Sequence, residues 1–196
     1  MQSPENRQES MSLSQRWQAV MAQLRQAEQA VGRAHGSVNL LAVSKLHPAQ
    51  AIRELYAAGQ TAFGENYVQE ALDKMVALAD LPLQWHLIGP LQSNKTQQVA
   101  ANFDWVHSVD RLKIAQRLSA QRPTLLPPLQ ICLQVNIDDE DSKSGCALAD
   151  LPALAEAVLA LPQLRLRGLM AIPRPGNAGA HALLAKTASD LLARLP

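Results

Sequence analysis

Apolar and polar positions follow two periods that alternate along this chain. Short unbroken apolar runs, such as residues 40–43, predict buried strands. Between these runs, apolar residues recur every three or four positions, which predicts amphipathic helices. The order is one helix, then a strand and a helix six times over. Strictly alternating strands and helices predict a parallel sheet with right-handed crossover connections.

The boundaries of these elements follow from local signals. Ser12 and Gln15 match a capping box at the start of the first helix, and Pro48 suits the first turn of the second. The predicted strands are residues 40–45, 61–66, 84–89, 103–109, 129–137 and 164–172. The predicted helices begin at Ser12, Pro48, Tyr67, Ser93, Asp110, Leu151 and Ala180.

Two architectures are compatible with this order. One is a six-stranded doubly wound sheet, and the other is a (β/α)₈ barrel that lacks its end. A doubly wound sheet that binds a dinucleotide would carry a glycine-rich G-x-G-x-x-G turn after its first strand. The turn at residues 44–48 contains no glycine, which argues against dinucleotide binding but leaves an open sheet possible.

Composition narrows the class of protein. The 196 residues fit one domain, and 47% hydrophobic with 18% charged residues allow a sizeable core. A net charge of +1 gives no basic face for nucleic acid, and no apolar run is long enough to span a membrane. The two cysteines form no metal-binding pattern. We therefore predict a cytoplasmic protein with a mobile polar N-terminus, residues 1–11, and a single domain over residues 12–196.

Lys45 is the first candidate for chemistry because it stands where the first predicted strand ends. Ligands of parallel α/β folds bind at the carboxyl ends of strands. A lysine at the mouth of an apolar strand can lose solvation, which lowers its pKa and leaves a neutral amine that attacks carbonyl groups. A lysine that packs its stem and keeps its charge in solvent is the plainer interpretation, and position alone favours it.

Four further residues lie at or just past other predicted strand ends: Asn66, His86, Lys143 and Met170. Singly, each has an ordinary explanation, since asparagine often caps helices and a lone strand histidine is usually structural. Together with Lys45 they form the cluster that a site at the top of a barrel requires. His107 carries less weight. The acidic loop 138–141 lacks the spaced ligands of a calcium loop, so we predict no metal site.

Several motifs resemble those of the pyridoxal phosphate homeostasis protein family. The matching segments are residues 42–45, 63–70, 85–95, 136–137, 142–145 and 167–172. The resemblance implies a barrel like the N-terminal domain of alanine racemase, with pyridoxal phosphate (PLP) held as an internal aldimine. Lys45 matches the Schiff-base lysine of the family, and Asn66, His86 and Met170 match positions around the cofactor. Lys143 follows the acidic loop and is expected to face the same surface.

The resemblance breaks off at the end of the sequence. Family members continue into two more strands whose Ser/Met/Gly-rich and Arg-Ile-Gly turns hold the cofactor phosphate, and the sequence stops at Pro196 before either. The expected fold is therefore an incomplete barrel of about six of the eight strand–helix units plus an N-terminal helix. The expected affinity of Lys45 for PLP is weaker than in a full-length relative.

The resemblance implies a PLP-binding protein of vitamin B6 homeostasis, without catalysis. One alternative is a PLP-dependent racemase-like enzyme, for which His86 and Lys143 would be the candidate acid and base. Another is a shortened form that no longer binds PLP well. The expected partners are the small-molecule cofactor and PLP-accepting apoenzymes, with no nucleic acid and no membrane. We expect a monomer unless the open barrel associates.

Overall fold

The computed structural model describes residues 11–139 and 144–194, in which strands and helices alternate in the predicted order. The strands are β1 (Ala42–Val43), β2 (Ala62–Glu65), β3 (Gln84–Leu87), β4 (Trp105–Val109), β5 (Leu129–Gln134) and β6 (Leu164–Met170). The helices are α1 (Leu13–Ala30), α2 (Ala49–Ala57), α3 (Val68–Ala77), α4 (Thr96–Asn102), α5 (Leu112–Gln121), α6 (Leu151–Leu159) and α7 (Ala180–Leu192). A 3₁₀ turn at Ser93–Lys95 precedes α4.

The chain forms two compact units. Among the described residues, the first unit comprises those up to Gly64 together with Glu70–Gln84, and the second comprises Glu65–Gln69 and those from Trp85 onward. The single domain expected over residues 12–196 stays a prediction. The mobile N-terminus expected over residues 1–11 lies, apart from Met11, outside the described residues.

The strand pairs within each unit are parallel. In the first unit β1 pairs with β2, and Ala42 lies opposite Phe63. In the second unit β3, β4, β5 and β6 pair in chain order, and His86 lies opposite Trp105. Because a helix stands between consecutive strands, each connection is a crossover, which confirms the predicted parallel α/β class.

The two faces of strands β3 to β6 differ in chemistry, since successive side chains point to opposite sides of a strand. One face is apolar and fully buried, and it includes Leu87, Val106, Ile131 and Leu133. The opposite face carries polar and aromatic side chains: His86, Trp105, His107 and Gln130. The packed core of the second unit therefore lies on the apolar side, and the other side is free to carry chemistry.

The first strand is shorter and more exposed than the sequence predicts. β1 has two residues, and the Val43 side chain is 49% exposed. Within the described residues β1 pairs with β2 alone, so its other edge has no strand neighbour to cover its side chains. The prediction of a buried first strand is wrong, although the turn that it leads into is in the predicted place.

Both cysteines are buried free thiols. Cys132 lies in β5, and the backbone of Cys146 forms an isolated parallel β-bridge with that of Val135. Burial raises the pKa of each thiol to about 11 because the apolar surroundings disfavour the thiolate. Within residues 11–139 and 144–194, no three histidine, cysteine or carboxylate side chains converge as a metal site would require. No helix in those ranges is long and apolar enough to cross a bilayer.

Glu28 ties the end of α1 to the residues that lead into β1. Its buried carboxylate accepts hydrogen bonds from Arg25 Nη1 (2.6 Å) and from the backbone N–H groups of Gly36 (3.0 Å) and Val38 (2.6 Å). Burial by itself raises the pKa of Glu28, but the hydrogen bonds from Val38, Gly36 and Arg25 outweigh it and lower that pKa to about 2. The ionised carboxylate is thus part of the folded state.

We expect Glu28 to contribute to acid sensitivity. In the unfolded chain its carboxyl has the ordinary pKa of 4.5, so the stability it adds is complete above pH 4.5 and is lost as pH falls toward 2. Glu28→Gln should lower the melting temperature by several degrees at pH 7 and leave a smaller difference from the wild type at pH 3. Thermal unfolding at both pH values measures this, with the exposed Glu54→Gln as control. A difference that does not shrink at pH 3 would contradict the expectation.

Candidate functional site

Lys45 lies two residues past the end of β1 and is exposed. The turn around it is closed by the His47 N–H, which donates to the Ser44 carbonyl (3.0 Å). Leu46 has a backbone φ of +63°, a left-handed conformation that is unfavourable for a residue with a branched side chain. Among the described residues, no hydrogen bond or ion pair engages the Lys45 amine. This amine is therefore available to a ligand.

Helix α3 holds the backbone on both sides of Lys45. Lys74 Nζ donates to the Ser44 carbonyl oxygen (2.7 Å) and to Glu70 Oε1 (2.6 Å). The same carboxylate oxygen accepts the Leu46 N–H (2.6 Å). The hydrogen bond from Lys74 is the main cause that lowers the pKa of Glu70, so the carboxylate stays ionised in the fold. We call Glu70 and Lys74 the α3 clamp.

The α3 clamp explains why the inward face of α3 differs from the predicted one. The apolar pattern predicts Val76 inward, but Val76 is 80% exposed and Lys74 is 7% exposed. A lysine can be buried when its charge is paired and its N–H groups have acceptors. Glu70 and the Ser44 carbonyl supply these acceptors, so Lys74 takes the place on the buried side.

In the second unit, Asn66 follows β2 and packs against Gly89, just past the end of β3. A Cβ atom on Gly89 would lie 2.6 Å from Asn66 Cα, closer than carbon atoms approach each other, so only glycine fits. The Ile88 N–H donates to the Glu65 carbonyl (2.9 Å), and the buried Ser108 Oγ donates to the Gly89 carbonyl (2.6 Å). The backbone of Asn66 is thereby fixed in close contact with that of Gly89.

His86 is buried in β3 beside a second histidine. Its Nδ1 atom lies 2.8 Å from His107 Nε2, and its ring stacks on that of Trp105 with centroids 5.3 Å apart at 11°. The Arg167 guanidinium lies 5.6 Å from the centroid of the Trp105 ring, a cation–π distance. Burial, and secondarily the charge of His107, lower the pKa of His86 to about 3. His86 is therefore neutral at physiological pH.

This pKa predicts how His86 responds to acid. Because its folded-state pKa lies below the ordinary 6.5, protonation favours the unfolded chain, and His86 makes stability fall as pH drops below 6.5. The imidazole NMR signals of His86 should remain those of the neutral ring from pH 7 to pH 4. The same signals in the urea-unfolded chain serve as reference. A midpoint near 6.5 in the folded protein would show that the ring is not desolvated.

The remaining predicted site residues are Met170 and Lys143. Met170 is the last residue of β6, is partly buried, and accepts the Val135 N–H at its carbonyl (2.8 Å). Lys143 lies outside the described residues. Lys45 belongs to the first unit, and Asn66, His86 and Met170 belong to the second. The roles of all five residues at a cofactor stay predictions.

Sequence reasoning gave no individual role to three residues that shape these regions, Glu70, Lys74 and Gly89, and it gave His107 little weight. The Glu70–Lys74 spacing of four residues on a predicted helix was a usable signal for an ion pair. The His107 contact depends on the register of β3 against β4, which places His86 opposite Trp105. The close approach of Gly89 to Asn66 depends on tertiary packing, and no local sequence pattern indicates it.

Comparison with known proteins settles the family. The profile of the alanine racemase N-terminal domain matches residues 16–187. A pyridoxal phosphate homeostasis protein of Pseudomonas aeruginosa is 65% identical over 175 residues, which are 88% of this chain and 76% of that protein. This chain belongs to the pyridoxal phosphate homeostasis protein family. The family member of Escherichia coli strain K12 is 59% identical over 147 residues, or 74% of this chain and 63% of that one.

Solved structures agree with the family. PipY of Synechococcus elongatus PCC7942, solved with PLP bound, is 43% identical with a TM-score of 0.75 over 90% of this chain and 84% of PipY. Alanine racemase from Corynebacterium glutamicum is 15% identical with a TM-score of 0.63 over 90% of this chain and 50% of that enzyme, a likeness of fold alone. The predicted fold type, the (β/α) fold of the alanine racemase N-terminal domain, is confirmed.

Proposed function

We propose that this protein binds pyridoxal 5′-phosphate through Lys45 and serves vitamin B6 homeostasis without catalysing a reaction. The observation that carries the proposal is the unengaged amine of Lys45 on a turn whose backbone α3 holds on both sides. PLP supplies an electrophilic aldehyde, whose usual protein partner is a lysine amine. The family supports the choice of ligand, because a relative that is 43% identical has been solved with PLP bound.

The described residues fit this ligand in their donor chemistry. Lys45 would supply the amine. We propose that Asn66 offers amide donors and an acceptor to the oxygen atoms of the ligand, and that His86 and Met170 contact it. The close packing of Gly89 on Asn66 supports this role because it fixes the amide-bearing residue before any ligand arrives. We propose that Lys143 contributes a cation to the ligand.

The protonation of His86 favours a binding role over a catalytic one. A racemase-like reaction needs a general acid or base whose pKa lies near the working pH. His86 has a pKa of about 3, and its Nδ1 atom is hydrogen-bonded to His107. The ring is therefore a weak base, and at pH 7 it is neutral and has no imidazolium proton to donate. Single-enantiomer amino acids incubated with excess protein and PLP should keep their optical rotation. Loss of rotation would overturn the non-catalytic part of the proposal.

Chemical trapping tests the binding part. The protein is mixed with PLP, treated with borohydride to make any carbon–nitrogen bond permanent, digested and mapped by mass spectrometry. We expect the pyridoxyl group on the peptide that contains Lys45 at substoichiometric PLP. A protein that retains no group, or carries it equally on exposed lysines such as Lys113 and Lys186, would overturn the proposal.

We further propose that the protein acts as a cytoplasmic monomer that exchanges PLP with acceptor apoenzymes. The absence of a membrane-spanning helix from the described residues is compatible with this setting. Light scattering after gel filtration should give a mass near 21.3 kDa. A stable dimer mass would contradict the monomer. Transfer is tested by adding an apoenzyme to the PLP-loaded protein, and recovery of enzyme activity no faster than with released PLP would contradict direct exchange.

A further inference from the structure

We infer that Glu70 and Lys74 are positioning residues for Lys45, so that the α3 clamp sets how readily this amine captures an aldehyde. The inference rests on the proposed role of Lys45. Neither side chain needs to touch the ligand for this purpose. Their effect would pass through the backbone of the turn that carries Lys45.

The first step of the argument is the placement of the hydrogen bonds. Lys74 Nζ holds the carbonyl of the residue before Lys45 (2.7 Å), and Glu70 Oε1 holds the N–H of the residue after it (2.6 Å). The two holding atoms are themselves joined at 2.6 Å. The peptide groups that flank Lys45 are thus fixed to one rigid helix, and the direction in which its side chain leaves the backbone is fixed with them.

The second step is the backbone conformation. Leu46 has φ of +63° and a side chain that is 79% exposed, so no packing of its own holds it there. Left-handed backbone is disfavoured for residues other than glycine and persists where the surroundings impose it. Two contacts impose it: the His47 N–H donates to the Ser44 carbonyl within the turn, and the Leu46 N–H donates to Glu70 on α3. Without the contact to Glu70, the turn is expected to loosen from α3 and the Lys45 amine to change direction.

The third step concerns the free-energy cost of burying the charged side chain of Lys74. Lys74 is 7% exposed, and an apolar residue in its place would pack without the cost of burying a charge. The chain instead buries an ammonium whose N–H groups hold Ser44 and Glu70. A buried polar pair that joins a helix to one turn specifies the shape of that turn, which is the property a positioned nucleophile needs.

The test compares variants by their affinity for PLP. Glu70→Ala removes the acceptor of the Leu46 N–H, and Lys74→Met removes the donor to the Ser44 carbonyl. Glu70→Gln is the conservative variant, because its amide oxygen can still accept the Leu46 N–H. The matched control is Asp80→Ala, which breaks the exposed Arg53–Asp80 ion pair (2.6 Å) in the same unit without touching the turn. The readouts are the absorbance band of the PLP-bound protein and the fraction of pyridoxyl groups trapped on Lys45. Circular dichroism verifies folding.

We expect Glu70→Ala and Lys74→Met to weaken PLP binding about tenfold or more and to spread the trapped group over other lysines, since displacing a reacting group by about 1 Å can cost about 100-fold. Glu70→Gln should restore most of the affinity, and Asp80→Ala should match the wild type. Wild-type affinity in folded Glu70→Ala and Lys74→Met, or equal losses in Glu70→Ala and Glu70→Gln, would overturn the clamp while leaving the proposed function intact. A wild type that traps nothing on Lys45 would instead overturn the proposed function.

Discussion

Lys45→Ala is expected to abolish the borohydride-trapped PLP adduct while the fold remains intact. The side chain is exposed and makes no hydrogen bond or ion pair within the described residues, so its removal costs the fold little. The loss of the amine, by contrast, removes the atom to which the aldehyde would bond. The expected result is no adduct at residue 45, measured by mass spectrometry after digestion, and an unchanged melting temperature.

The control for this prediction is another exposed lysine. Lys113 lies on α5, and Lys113→Ala should retain the full adduct at Lys45. Lys45→Arg adds a second comparison, because it keeps a positive charge but lacks an amine that condenses with aldehydes. Equal trapping in Lys45→Ala and the wild type would place the attachment on another lysine.

Gly89→Ala is expected to destabilise the second unit strongly. The new methyl carbon would stand 2.6 Å from Asn66 Cα and even closer to the Asn66 carbonyl oxygen, and both are backbone atoms that cannot rotate away. Overpacking of this kind typically costs about 1–3 kcal/mol, and we expect the upper end, about 3 kcal/mol, because neither backbone is a flexible side chain. Urea unfolding measures the change in the free energy of unfolding.

Displacement of Asn66 is the functional part of the same prediction. If the proposed role of Asn66 is right, Gly89→Ala protein that remains folded should also bind PLP more weakly. Gly179→Ala is the control, since a Cβ there would meet no atom closer than 3.7 Å. Equal stability of the two variants would contradict the close packing of Gly89 on Asn66.

The order of the fold could be predicted because its signals are local. Ser12 and Gln15 form the capping box that their spacing indicates, and Gly59, with φ of +111°, ends the segment after α2. Pro152 lies in the first turn of α6 as expected. Each of these depends on residues no more than a few positions apart, so the sequence pattern contains the whole interaction.

Two of the wrong predictions involve polar residues whose hydrogen-bond partners the apolar pattern does not reveal. Asp110 does not cap α5, because Arg111 occupies the N-cap position and its Nη1 lies 2.6 Å from the Asp110 carboxylate. Hydrophobic periodicity predicts Val76 inward, but Lys74 is the buried residue because of acceptors on Glu70 and Ser44. Apolar patterns predict which hydrophobic side chains are buried by the hydrophobic effect. They do not predict which polar side chains are buried because a hydrogen-bond partner is available.

The candidate site also has a part that the sequence pattern predicts and a part that depends on contacts between residues far apart in sequence. Lys45 could be proposed from its position after an apolar run, and the family motifs gave it a role. The residues that hold its turn were not recognisable, since the contact from Leu46 to Glu70 spans 24 residues. Likewise, the pairing of His86 with His107 spans 21 residues and follows from strand register.

The two buried thiols have a practical consequence. Cys132 and Cys146 are 9% and 8% exposed, and each has a pKa of about 11, so neither presents a thiolate to a reagent in the folded protein. A thiol-specific label therefore reacts with them chiefly when the surrounding structure opens. The rate of that labelling reports the opening free energy of the second unit directly, without an engineered probe. Repeated with saturating PLP, the same measurement would give the stabilisation that the ligand confers, in a readout independent of any colour change.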